Sequence, residues 1–322
     1  MDFGSYETLI VEASDGVATV TINRPEALNA LSGQVVGELA KVCALFAGLG
    51  DARGAGAEGA GAGASRDTGG AGAEGAGGSR DTEGSGAEGA GASRDTGGIE
   101  STADDGAWPV RGVILTGAPG KAFVAGADIR EMTSMSPDEA EAYARSMHSV
   151  TLALEALPVP VIACVDGYAL GGGCELALAA DFIYASESAQ FGQPEVNLGL
   201  VPGFGGSVRL PQRVGLGMAR ELIYTARRLN AHEAYSLGLV NGVFSTREQL
   251  LETAAATIRE IATKSPTAVA YAKRSINEAV GLPTAEGLEV EAKAFRAAFQ
   301  TEDGREGTEA FLAKRPAAFP GR

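Results

Sequence analysis

From Ala52 to Asp105 the sequence contains almost nothing that a folded protein could bury. These 54 residues hold 17 glycines, no Phe, Tyr or Trp, and Ile99 as their one large aliphatic side chain. Ordering a backbone costs ~1–2 kcal/mol per residue, and apolar burial is what offsets that cost. The tract therefore reads as a disordered, low-complexity insertion. Any fold must be built from the other 268 of the 322 residues. Ser-Arg-Asp-Thr recurs at Ser65, Ser79 and Ser93, a period of 14. Short periods mark solenoids only when each repeat has aliphatic side chains to stack, and these have none.

The tract also contains three matches to the dinucleotide pattern G-x-G-x-x-G, beginning at Gly54, Gly70 and Gly84. In a nucleotide site the glycines work because they follow a buried strand and open a helix. None of the three has that context, so no nucleotide site is expected there.

Charge and cysteine usage exclude further classes. The chain carries 26 Lys and Arg against 41 Asp and Glu, a formal charge of −15, of which −6 falls in the insertion. With no basic cluster, neither a nucleic-acid surface nor an anionic membrane face is expected. Three scattered cysteines, Cys43, Cys164 and Cys174, fit a reduced, cytoplasmic protein better than a disulfide framework. Met1 to Asp15 has four acidic residues and no Lys or Arg, unlike a targeting peptide. Leu157 to Val165, the most apolar run, is broken by two prolines and is far short of the ~20 residues of a membrane helix. The two histidines, His148 and His232, have no acid or Cys beside them in a catalytic or zinc pattern.

Outside the insertion, strands alternate with helices and then helices take over. Glu7–Val11 and Val17–Ile22 flank Ser14-Asp15-Gly16 as a hairpin. Ser32 is placed to cap a helix running to about Leu49. Strands are expected at 112–116, 159–165 and 182–185, with helices at 138–157 and 174–180. Five more helices are expected at 218–226, 231–237, 248–263, 267–280 and 285–299. This order implies an α/β core over 1–51 and 106–217 and a C-terminal helical region over 218–322, with the insertion at 52–105.

Three stretches carry chemistry: Lys121 to Asp128, Asp166 to Glu175, and Phe191 to Glu195. The first two each follow a buried strand, and their glycines permit turns that bare the backbone N–H groups. The second runs straight into a helix, whose free N–H groups and positive end face the loop. Two fixed, convergent amide donors suit a developing oxyanion. Glu175 lies about one turn into that helix, and helical side chains lean toward the N-terminus, back over such a site. A glutamate in a first turn usually does no more than complement the dipole. Glu175, however, sits in an otherwise apolar segment, where an idle carboxylate is costly to bury. With Glu195 it could hold one water and exchange protons with it. Cys174 reads as a small buried filler rather than a reactive thiol.

At these residues the chain resembles the crotonase superfamily, the enoyl-CoA hydratase/isomerase family. The likeness runs through 23–31, 123–129, 167–175, 191–195, 201–206 and 305–307, from Asn-Arg-Pro-Glu-Ala-Leu-Asn to Arg-Glu-Gly. It implies a spiral of ββα units with a C-terminal helical trimerisation region, assembled as a homotrimer or homohexamer. It implies an oxyanion hole at the Ala127 and Gly172 amides, and catalysis by Glu175, mainly as base toward water, and Glu195, mainly as proton donor to the α-carbon. Ala27, Ala125, Asp128 and Ile129 match segments lining the CoA pocket; Lys121, a candidate for a CoA phosphate, reads more simply as a solvated lysine. No cofactor or metal is implied beyond the CoA of the substrate. Both glutamates being present favours a lyase, an enoyl-CoA hydratase acting on 2-enoyl-CoA thioesters. An enoyl-CoA delta-isomerase, or an acyl-CoA-binding scaffold working through the insertion, is the alternative.

Overall fold

Alternation of strands between two sheets builds the spiral. The computed structural model describes residues 3–51 and 108–322. The insertion expected over 52–105, with its G-x-G-x-x-G matches, lies outside them. A hairpin of β1 (Leu9–Ser14) and β2 (Val17–Ile22) comes first, followed by α1 (Gly33–Asp51). Then come β3 (Gly112–Gly117), β4 (Ala122–Val124), α2 (Ile129–Met132) and α3 (Pro137–Ala156). The next turn is β5 (Val161–Val165), β6 (Tyr168–Leu170) and α4 (Gly172–Leu178). After it come β7 (Phe182–Ser186), β8 (Gln190–Gly192), α5 (Gly206–Val214) and α6 (Leu216–Thr225). β9 (Leu229–Asn230), α7 (Ala231–Ser236) and β10 (Gly242–Phe244) follow. Four helices complete the chain: α8 (Arg247–Ala262), α9 (Pro266–Ala279), α10 (Thr284–Phe299) and α11 (Glu302–Ala313).

The larger sheet has the order β1-β2-β3-β5-β7-β10, and the smaller one β4-β6-β8-β9. Each turn of the spiral thus gives one strand to each sheet. Parallel pairing from β2 onward in the larger sheet puts all strand exits at one edge. Being buried on both faces, β3 and β5 read as continuous apolar runs rather than as alternation. Val113, Leu115, Val161 and Ala163 face the main core with α1 and α3; Ile114, Ile162 and Cys164 face a second layer with Leu250, Ala254 and Ile258 of α8.

Boundaries differ from the sequence reading where a side chain or a proline intervenes. The first strand begins at Leu9 rather than Glu7, because the Glu7 and Thr8 amides are taken by the buried Glu38 carboxylate at 3.1 and 3.0 Å. The strand expected from Val159 begins at Val161, since Pro160 has no N–H to give the ladder. The third helix starts at Pro137, capped by a reciprocal Ser136–Glu139 box. No helix among the described residues is long and apolar enough to cross a membrane.

Candidate active site

The small sheet carries the site at its strand exits. Beyond β4 the chain enters Ala125 to Asp128, where Leu31 forms a parallel bridge with Ala127. The Leu31 amide donates to the Gly126 carbonyl at 2.9 Å, and the Asp128 amide donates to the Leu31 carbonyl at 2.7 Å. Arg24 locks the two segments together, giving Nη2 to Asp128 Oδ2 at 3.0 Å and Nη1 to the Ala30 carbonyl at 2.7 Å. The Ala127 amide between these bonds donates to no other described residue.

α4 is laid against this segment. A Cβ on Gly173 would collide with the Val124 carbonyl, so only glycine lets the first helical turn lie on β4. Gly171 ahead of it has φ +50° and opens the helix without a side-chain cap. The Gly172 amide, first in the helix, is one of the orphan donors of a helix start and has no partner among the described residues.

Two carboxylates flank that turn. Glu175 is 1% exposed. Its Oε1 accepts the Phe204 amide at 2.8 Å and the Gly206 amide at 2.6 Å, while Oε2 has no partner among the described residues. Glu195, half-buried at the start of a 3₁₀ turn after Pro194, rests on Gly171: a Cβ there would stand 2.6 Å from Glu195 Oε1. The fully buried Gln193 amide, with its nitrogen assigned from the hydrogen-bond network, reaches Glu195 Oε1 and Oε2 at 3.2 and 3.3 Å.

Burial governs the charges. It lifts the Glu175 carboxyl to about 7; the two amides on Oε1 oppose the rise, and the neighbouring Glu195 adds to it. Glu195 is also raised by burial. A carboxyl group with one oxygen left without a partner among the described residues, and with a proton affinity near neutrality, is what a general acid–base group needs. The Cys174 thiol is pushed up by burial and by both glutamates, as suits a filler.

The other expected residues take distinct places. Ala27 is half-buried in the 3₁₀ turn 25–27, beside Ala125, whose amide donates to the Leu28 carbonyl at 3.1 Å. Asp128 faces Arg24 and caps α2 through the Arg130 amide, so its carboxylate holds structure. Ile129 is exposed on α2 and Lys121 is exposed ahead of β4. The two histidines lie on exposed helical surface, His148 with Nε2 2.8 Å from the Gly203 carbonyl.

Sequence reasoning gave no role to Gln193, nor to 203–206, whose amides form the Glu175 cradle. Those amides have no side-chain signature; the signal in the sequence is the glycine pair Gly205-Gly206 opening α5. Arg209 of α5 pairs with Glu155 at 2.6 Å and its Nη1 lies 3.4 Å from the Phe204 carbonyl, tying the cradle to α3.

Comparison with known proteins gives the chain's family and fold. Residues 102–322 match the family described as enoyl-CoA hydratase/isomerase. The chain is 38% identical to a crotonyl-CoA hydratase of Syntrophomonas wolfei, covering 98% of each. It is also 38% identical to a short-chain-enoyl-CoA hydratase of Clostridium acetobutylicum, covering 95% of each. Its fold superposes on a crystal structure of an enoyl-CoA hydratase from Bacillus anthracis with a TM-score of 0.76 and 32% identity, over 98% of this chain and 100% of that one. With spiral, amide pair and paired glutamates already in place, these matches settle the lineage: the chain belongs to the enoyl-CoA hydratase/isomerase family.

Proposed function

We propose that this enzyme adds water across the 2,3-double bond of 2-enoyl-CoA thioesters to give 3-hydroxyacyl-CoA. The observation that carries the reading is the buried Glu175, held on one oxygen by two amides and flanked by Glu195, beside two unpartnered backbone donors. The thioester oxygen is received by the Ala127 and Gly172 amides. Glu175 Oε2, as the anion, takes a proton from water as its oxygen attacks carbon 3. Negative charge moves onto the thioester oxygen, where each amide donor is worth about 3–4 kcal/mol in the transition state. Glu195 delivers a proton to carbon 2, and the proton on Glu175 resets the pair. No oxidation level changes overall, so the chemistry asks nothing of a nicotinamide. Ala27, Ala125, Asp128 and Ile129 frame the CoA portion. The relatives named for crotonyl-CoA and short-chain enoyl-CoA substrates support a short acyl group.

The test is loss of the conjugated-thioester absorbance of crotonyl-CoA. Glu175→Ala and Glu195→Ala should each lower turnover by at least about 100-fold with the fold intact. A purified wild type that leaves crotonyl-CoA unchanged, or that acts only on a 3-enoyl-CoA, overturns the hydratase reading.

We also infer a homotrimer or homohexamer in the cytoplasm. Phe295, Phe299, Phe311 and Leu312 are 70–83% exposed on the C-terminal helices, more apolar surface than a lone subunit ordinarily leaves in water. Three unpaired buried thiols support a reducing compartment. Light scattering at the mass of one 32.6 kDa chain would overturn the assembly.

A further inference from the structure

α3 passes the site without lending a group to the carboxylates or to the two free amides, yet one of its side chains touches both halves. Tyr143, half-buried, donates its hydroxyl to the Leu31 carbonyl at 2.7 Å. That carbonyl also accepts the Asp128 amide, and Leu31 is the residue bridged to Ala127. The ring of Tyr143 meets Phe204 edge-on, with centroids 5.2 Å apart and planes at 86°. Phe204 supplies one of the two amides on Glu175. Leu31 and Phe204 also converge on Gly172: a Cβ there would lie 3.3 Å from Leu31 Cδ1 and 2.6 Å from a Phe204 ring carbon.

A core tyrosine ordinarily needs only some acceptor for its hydroxyl. Here the acceptor and the ring partner are the two residues that fix the free amides and the carboxylate cradle. We propose that Tyr143 is a positioning residue that sets the Ala127 amide and the Glu175 cradle in one geometry, acting through Leu31 and Phe204. The proposal rests on the reading of Ala127 and Gly172 as the thioester-oxygen donors. Such donors help the reaction only if they are fixed before charge develops. A displacement of about 1 Å at a reacting centre costs on the order of 100-fold in rate. Without the hydroxyl, the segment carrying Leu31 loses its hydrogen bond to α3, and the Ala127 amide gains freedom where it must be still.

Tyr143→Phe removes the hydrogen bond and keeps the ring contact. With crotonyl-CoA, kcat should fall about 10- to 100-fold while KM stays within about threefold, since the lost alignment matters in the transition state. A second readout uses acetoacetyl-CoA, whose bound enolate places the same negative thioester oxygen between the amides and absorbs apart from the keto form. The enolate band should shrink in Tyr143→Phe at saturating ligand. Lower thermal stability with unchanged kcat and enolate band overturns the proposal, as does a raised KM with unchanged kcat. A wild type that hydrates crotonyl-CoA but gives no enolate band overturns the donor reading and the Tyr143 role together. A wild-type band matched by Tyr143→Phe overturns the Tyr143 role alone.

Discussion

Glu175 is the residue at which stability and function pull apart. Its carboxyl has a folded-state affinity near pH 7, against about 4.5 for a free glutamate. Between those values the unfolded chain has released a proton that the folded chain still holds, so stability declines as pH rises through the window and stays lower above it. At pH 4 the carboxyl is mostly neutral in both states and the effect nearly vanishes. Glu175→Gln keeps an oxygen for the Phe204 and Gly206 amides without the buried charge. It should therefore be more stable than the wild type at pH 8, by on the order of 3 kcal/mol, and no more stable at pH 4. Urea unfolding at the two pH values checks this; a variant less stable than the wild type at pH 8 refutes it. The same affinity puts the acid limb of kcat/KM near pH 7, a midpoint that belongs to the glutamate pair rather than to one member. The two acids were legible in the sequence because charge in an apolar helix and after a Gly-Gln-Pro run stands out. What holds them was not: amides of Phe204 and Gly206 look like any others until the fold turns them inward, and Gln193 looks like any polar loop residue.

Long elements announced themselves and short ones did not. α1, α3, α6 and the helices from α8 to α10 fall within a few residues of their sequence expectations because apolar periodicity accumulates over several turns; the hairpin, marked by its Asp-Gly turn, and the six-residue α7 do so too. β4, β6, β8, β9 and β10 have two or three residues each, too few for any period, and exist because a neighbouring strand receives them. α5 was hidden by Pro211 in its interior, and α11 by the glycines Gly304 and Gly307. The join between the core and the C-terminal helices is also tertiary. Lys273 of α9, 8% exposed, gives its ammonium to the Leu154 and Val159 carbonyls at 3.3 and 3.0 Å and to Asp181 Oδ2 at 2.8 Å. Removing it strands the Val159 carbonyl, leaves the Leu154 carbonyl with only the Leu157 amide at 3.3 Å, and leaves the Asp181 carboxylate with the Val161 amide as its one hydrogen-bond donor among the described residues. Lys273→Met should cost about 3 kcal/mol in unfolding free energy, because the half-buried Asp181 carboxylate loses the cation paired with it at 2.8 Å. Since Val159 lies at the strand starts, away from the site, kcat of the folded variant should match the wild type. Unfolding curves paired with crotonyl-CoA kinetics decide it, and an unchanged unfolding midpoint would show the clamp to be idle.

At the scale of the whole molecule, the question is whether the tract from 52 to 107 bears on catalysis. Its two anchors answer in part. α1 begins at Gly33, next to the Leu31–Ala127 bridge, and runs for 19 residues, so its far end at Asp51 stands about 28 Å from the site. The chain re-enters at Trp108, whose indole donates to the Gly321 carbonyl at 2.9 Å. From there β3 runs from Gly112 toward Gly117 and the site, so Trp108 lies on the starting side of the strand. Both anchors are thus at the edge opposite the amide pair and the glutamates. The cost of closing a loop grows only with the logarithm of its length, which is how the fold carries so long a connection. Replacing 52–107 by an eight-residue Gly-Ser linker should leave kcat and KM for crotonyl-CoA within about twofold. It should also raise stability by about 1–2 kcal/mol, the closure entropy recovered on shortening. A large fall in kcat/KM with stability retained would mean that the tract reaches the substrate despite where it is tethered. Unaltered kinetics alongside a changed mass in light scattering would instead assign it to assembly.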